Sequence, residues 1–252
     1  MAKITIEYAS EVLAKNVTLS VLVPESLDQR KTFPTLYLLH GLSGHHSDWT
    51  NHTRIQRWAN EHQIAVVMPS ADNKFYIDNP KTYEYYGRFI GEELVTFTRN
   101  MFPLSSLRED TSIGGLSMGG YGALVNGFKY YETFGTIVAL SSALIIDEIP
   151  HKTGDINSPI LENRVFFETV FGDLSCLIGS DKDYNALLSQ IPKHAIPRLY
   201  LSCGEDDFFI KNNRDYHAHL DHLQIPNTYV EIPGNHDWDT WDTMIHAVLN
   251  WL

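Results

Sequence analysis

Thr111-Ser112-Ile113-Gly114-Gly115-Leu116-Ser117-Met118-Gly119-Gly120-Tyr121-Gly122 is the stretch on which the fold turns. It passes from a short apolar run, Thr111 to Gly114, through the pentapeptide at 115–119 into a candidate helix from Gly119 to Tyr131. With 16 Gly and 17 Ser in 252 residues, a G-x-S-x-G pattern is expected by chance roughly 0.07 times. The pentapeptide alone is therefore suggestive and no more. Its setting between a strand and a helix adds to it, because a sharp turn there lifts a serine Oγ above a sheet where a base can reach it.

The alternation of strand and helix continues outward from this point. Further strand candidates are Thr35 to Leu39, Ile64 to Met68, Thr136 to Leu140, Arg198 to Cys203 and Thr228 to Ile232. Nearly all are unbroken apolar runs, as expected of parallel strands buried on both faces. Helix candidates lie near Arg54 to His62, Tyr83 to Met101, Lys211 to Leu223 and Trp241 to Leu252. Before Thr35, the runs Lys3 to Tyr8 and Val17 to Val23 alternate and have no helix between them, which predicts an antiparallel hairpin on the sheet edge. The fold class is thus α/β, a mostly parallel central sheet with helices on both faces. Residues 143–197, with Pro150, Pro159, Pro192 and Pro197, break the pattern and are expected to form a cap-like insertion within a single domain spanning 1–252.

Composition narrows the partners. The chain has 19 Lys and Arg against 31 Asp and Glu, a net charge of −12, and its longest basic cluster is the pair Arg30-Lys31. Nucleic acid and anionic membranes need clustered cations, so neither is an expected partner. Two cysteines make no disulfide framework, the opening MAKITIEYASEV lacks a signal peptide's basic and apolar regions, and no apolar run reaches membrane-spanning length. A cytoplasmic protein is the expectation.

Ser117 needs a base and an acid. In this kind of fold they follow in the order serine, carboxylate, histidine, on loops at the carboxyl ends of later strands. Of the histidines beyond residue 207, His217, His219 and His222 fall in one helical stretch and His246 in another. Only His236, in Pro-Gly-Asn-His-Asp-Trp, lies in a loop directly after a strand. The acid belongs after the Arg198 to Cys203 strand, in Gly204-Glu205-Asp206-Asp207-Phe208-Phe209, where spacing does not separate Asp206 from Asp207; Asp237 ranks third. Two backbone N–H groups are needed for the oxyanion. They are expected from Met118 and from the loop His40-Gly41-Leu42-Ser43-Gly44, with Leu42 leading.

Together, His40-Gly41-Leu42, the Gly115 to Gly122 run and Gly234-Asn235-His236-Asp237-Trp238 resemble the esterase D-like branch of the α/β-hydrolases, most closely bacterial tributyrin esterases. The likeness covers nearly the whole chain. It implies a small intracellular serine carboxylesterase for short acyl chains, with no metal or organic cofactor, and a catalytic set of Ser117, Asp207 and His236. The branch pattern Gly-x-x-Asp-x-Phe falls on Gly204, Asp207 and Phe209 and favours Asp207 over Asp206, while the branch's oxyanion donors fall on Leu42 and Met118. The similar S-formylglutathione hydrolases carry a Cys and a His where this chain has Gly44 and Tyr121, which makes that activity the second expectation beside acetylxylan or feruloyl esterase chemistry. A non-catalytic binding protein of the same fold is the alternative from another class, and the intact set of three argues against it.

His40, His45 and Trp238, which neighbour the oxyanion loop and the base, are candidate pocket residues for a small ester. The spacing His217-x-His219-x-x-His222 does not put three ligands on one helix face, so no metal is expected. Cys203 reads as buried core, and a homo-oligomer is compatible with the size.

Overall fold

An apolar strand with no polar face must be covered on both sides, and the layers of the molecule follow from that requirement. The computed structural model describes residues 1–25 and 32–252, so the Arg30-Lys31 pair lies outside the described residues. In chain order the strands are β1 (Ala2–Ser10), β2 (Lys15–Val23), β3 (Thr35–Leu39), β4 (Ala65–Pro69), β5 (Asp78–Asn79), β6 (Glu84–Tyr85), β7 (Thr111–Leu116), β8 (Thr136–Leu140), β9 (Arg198–Gly204) and β10 (Asn227–Ile232). β5 and β6 make a small ladder of their own. The others form one sheet in the order β1-β2-β4-β3-β7-β8-β9-β10. β1 and β2 are an antiparallel hairpin at one edge, with Ile4 opposite Val21, and β2 runs antiparallel to β4. From β4 onward every pairing is parallel.

The α-helices are α1 (Asp48–His52), α2 (Ile55–Glu61), α3 (Tyr86–Arg88), α4 (Leu94–Met101), α5 (Met118–Lys129), α6 (Arg164–Phe171), α7 (Tyr184–Gln190), α8 (Ile210–His222) and α9 (Trp238–Trp251). Alternation along β3 divides the core. Tyr37 and Leu39 face a cluster with α4, α5 and the insertion, whereas Leu36 and Leu38 face one with α1, α2 and α9, which supply Trp49, Trp58, Trp241 and Ile245. No helix among the described residues is long and apolar enough to cross a membrane.

Two helices differ from expectation in where they start. The helix expected from Tyr83 starts at Tyr86, because Tyr83 has φ 59 and Glu84–Tyr85 pairs in the small ladder; a π turn at Phe89–Glu93 separates α3 from α4. The helix expected near Arg54 to His62 is α2, and a separate short helix, α1, precedes it and ends at Thr53, whose backbone is extended. The last helix begins at Trp238, three residues earlier than expected, because the Asp237 side chain caps it by accepting from Thr240 N at 2.9 Å.

The 143–197 insertion carries short 3₁₀ turns, α6 and α7. It is fastened by aromatic rings: Phe75 lies 6.2 Å from Phe167 and 5.2 Å from Phe171, and Tyr121 of α5 lies 5.9 Å from Phe171. A buried Phe→Ala change removes these contacts and leaves a cavity, so Phe167→Ala is expected to cost about 3–5 kcal/mol. Urea unfolding followed by tryptophan fluorescence and by circular dichroism should remain one coincident transition. Two separated transitions would show that the insertion unfolds on its own.

Candidate active site

β7 ends at Leu116 and α5 begins at Met118, which leaves Ser117 to make the turn alone, at φ 53 and ψ −117. Such a conformation in a residue with a side chain costs of the order of 1–3 kcal/mol and persists only where its surroundings enforce it. Here Ser117 N donates to Leu140 O at 2.9 Å, and Ser117 O accepts from Tyr121 N and Ala143 N, both at 3.1 Å. Gly119 matters at this point: a Cβ there would lie 2.6 Å from the carbonyl oxygens of Leu39 and His40. With glycine in place, α5 starts hard against the end of β3, where the His40-Gly41-Leu42 loop leaves the sheet. The Met118 N–H belongs to the first turn of α5, so it has no intrahelical acceptor and sits at the positive end of the helix dipole.

Asp206 and Asp207, inseparable by spacing, have opposite environments. Asp206 is exposed, whereas Asp207 is 2% exposed and meets His236, with Nδ1 to Oδ2 at 2.8 Å. Its Oδ1 accepts from Phe209 N at 2.8 Å. Burial pushes the Asp207 carboxyl up, but the hydrogen bonds from His236 and the Phe209 amide, with the imidazole's charge, outweigh it and hold the group below its ordinary 3.8. A carboxylate on Nδ1 keeps the ring proton there and leaves Nε2 to accept. His236 reaches this place from the loop between β10 and α9, and its ring is boxed by Phe208 at 4.3 Å, Trp241 at 4.9 Å and Phe209 at 5.5 Å. Asp237 turns away to cap α9.

Ser117 and His236 border one cavity of about 650 Å³, together with Gly41, Leu42, His45 and Trp238. His45 and Trp238 thus stand in its wall; Trp238 packs edge-on to Trp49 at 5.4 Å and stacks on His52 at 4.8 Å. His40 is a correction to the expected pocket set. It is 1% exposed, donates from Nδ1 to Gly41 O at 2.7 Å and accepts at Nε2 from Ala71 N at 3.0 Å. A histidine with both nitrogens spent on backbone braces the loop and has nothing left for a ligand. Asp48, His52, Leu161 and Phe208 also line the cavity and were missed. Phe208 adjoins Asp207 in sequence and could have been found, but Leu161 arrives from the insertion with no sequence signal. Away from the site, His217 bonds Asn227 Oδ1 at 2.8 Å, and among the described residues no three His, Cys, Asp or Glu side chains gather as metal ligands would.

The Esterase family model matches residues 10–252. The chain belongs to this family. An acetyl esterase of Caldicellulosiruptor saccharolyticus is 42% identical over 262 residues, spanning 100% of this chain and 98% of the relative. Among solved structures, a Staphylococcus aureus fluorophosphonate-binding serine hydrolase, FphF, is 31% identical with a TM-score of 0.87, covering 99% of this chain and 97% of that one. An S-formylglutathione hydrolase, FrmB, from the same organism is also 31% identical, with a TM-score of 0.84 and coverage of 99% and 98%. The esterase has the α/β-hydrolase fold and is a carboxylic ester hydrolase.

Burial lowers the pKa of His40 from its usual 6.5, opposed by its bond to the Gly41 carbonyl and by Asp48. The unfolded chain therefore takes up this proton first, so His40's contribution is complete above about pH 6.5 and is lost as pH falls through the folded value. The urea midpoint of the esterase should drop between pH 7.5 and 5.5, and His40→Gln should show a smaller drop. The same fall in both proteins would refute the assignment to His40.

Proposed function

We propose that this esterase is a serine carboxylesterase for small, short-chain acyl esters, working through Ser117, His236 and Asp207. The observation that carries this reading is the buried Asp207 carboxylate bonded to His236 on a ring that shares one cavity with Ser117. Ser117 Oγ attacks the ester carbonyl as Nε2 takes its proton, Asp207 stabilises the imidazolium, and the oxyanion is held by the amides of Met118 and Leu42. His236 then protonates the leaving alcohol, and water repeats the sequence on the acyl-enzyme. Among the described residues no hydrogen bond joins Ser117 Oγ to His236 Nε2, and the proposed mechanism requires Oγ to come within reach of Nε2 when the ester binds.

Size and charge support the substrate class. Leu161, Phe208 and Trp238 wall a space that acyl and alcohol halves must share, and the 42% identical acetyl esterase points the same way. S-formylglutathione hydrolysis is the second reading, favoured by the likeness to FrmB. Against it, among the described residues no Lys or Arg lines the cavity while Asp48 and Asp237 do, and glutathione brings two carboxylates of its own. Cys176 and Cys203 are unpaired, which agrees with an intracellular setting.

With p-nitrophenyl esters, kcat/KM is expected to peak between acetyl and butyryl and to fall at least roughly tenfold by octanoyl; a stronger preference for S-formylglutathione would select the second reading. Ser117→Ala should abolish fluorophosphonate labelling and lower turnover by about six orders of magnitude with the fold intact. Asp207→Asn should lower kcat by about 10⁴, whereas Asp206→Asn, on an exposed residue, should leave it nearly unchanged.

A further inference from the structure

The turn that follows β8 touches both ends of the catalytic arrangement. Leu140 O and Ala143 N bond the two backbone atoms of Ser117, N and O respectively. Between them, Ser141 N donates to Ser202 O of β9 at 2.7 Å, and Ser141 sits buried at φ 44, a conformation with a cost of its own. The turn also presses on the nucleophile helix, since a Cβ at Gly120 would stand 2.1 Å from Ser142 Oγ. Ser142 Oγ makes no hydrogen bond within the described residues, so the turn is secured through its backbone.

On the other side of that turn lies Asn213, on α8 and 1% exposed. Its Oδ1 accepts from Ser142 N at 3.3 Å, and its Nδ2 donates to Ser142 O at 3.0 Å and to Phe209 O at 2.9 Å. Phe209 is the residue whose own N–H holds Asp207 Oδ1. One amide side chain thus bonds both backbone polar atoms of Ser142 and the loop that carries the acid. We infer that Asn213 is a positioning residue: resting on the triad reading above, it locks the Asp207 loop to the turn that fixes Ser117 and so sets the distance across which His236 must work. The chemistry fits the residue type, because bridging a buried N–H and two C=O groups, each of which also accepts one backbone N–H, takes a side chain that both accepts and donates. Removing it leaves Ser142 N–H unpaired in the interior, leaves Ser142 O with Leu144 N at 2.8 Å as its remaining donor, and so frees the turn to shift; a misplacement of about 1 Å at a reacting group can cost 10²-fold in rate.

The test compares Asn213→Ala with the isosteric Asn213→Asp, which keeps an acceptor for Ser142 N and loses both donors. Thr98→Val is the control; it removes a buried hydrogen bond to Tyr37, made by α4 outside the site. The Asn213 variants should lose about 10- to 100-fold in kcat, with KM for p-nitrophenyl acetate changed less than threefold and fluorophosphonate labelling slowed by the same factor as kcat. Thr98→Val should lower the urea midpoint and leave kcat alone. A folded Asn213 variant with kcat within twofold of the parent, beside an inactive Ser117→Ala, overturns this inference alone. A kcat loss in Thr98→Val that matches the Asn213 variants at equal loss of stability also overturns it. Turnover retained by Ser117→Ala overturns it together with the triad reading.

Discussion

Ser117 holds a backbone conformation that residues with side chains avoid, and much of the molecule is arranged to keep it there. β7 delivers the chain from below, α5 carries it away, and the peptide groups of Leu140 and Ala143 hold the turn from the side. The hold from Leu140 and Ala143 is not local in sequence to the strain it sustains. The sheet order makes them possible: β7 lies between β3 and β8, so the loops leaving both neighbours reach the same point above the sheet. From β3 comes the His40-Gly41-Leu42 loop, and from β8 comes the turn that Asn213 secures. A strained residue of this kind marks a site where placement has been kept at a cost in stability.

The surroundings of His236 follow a different rule. Its ring is walled by Phe208, Phe209 and Trp241, and among the described residues its polar anchor is one carboxylate almost entirely out of water. In so apolar a setting a hydrogen-bonded charge is strong, because little solvent competes with it. His45, Asp48 and His52 add polar groups to the cavity lining, and among the described residues no Lys or Arg lines it. The chain's charge of −12 and the acidic lining support the proposal of neutral esters as substrates for this member of the Esterase family.

Much of this was legible in the residues. The strands from Thr35 to Ile232 were readable because runs buried on both faces have no polar interruptions, and the leading hairpin was readable because its alternation differs from theirs. Helix boundaries were less so. The start of α9 depended on Asp237 acting as a cap, and the start at Tyr86 on a left-handed Tyr83, neither of which periodicity reports. His40 was misjudged for a related reason. Adjacency to the oxyanion loop placed it near the cavity, but the side chain turns to the Gly41 carbonyl and the Ala71 amide, and the latter comes from beyond β4.

Order along the chain is a property of sequence, and the motif around Ser117, the late histidine and the acidic pair after β9 could be read from it because the chemistry constrains residue type and succession. What the tertiary structure decided was orientation and burial. Asp206 and Asp207 are neighbours of identical chemistry, and only the packing of their loop sends one to solvent and the other to His236. Leu161 reaches the cavity from the insertion, and Asn213 joins two loops 71 and 4 residues away, at Ser142 and Phe209. Such contacts depend on how separate elements stack, and no periodicity or spacing encodes the distance between side chains that meet only after the sheet has closed around its helices.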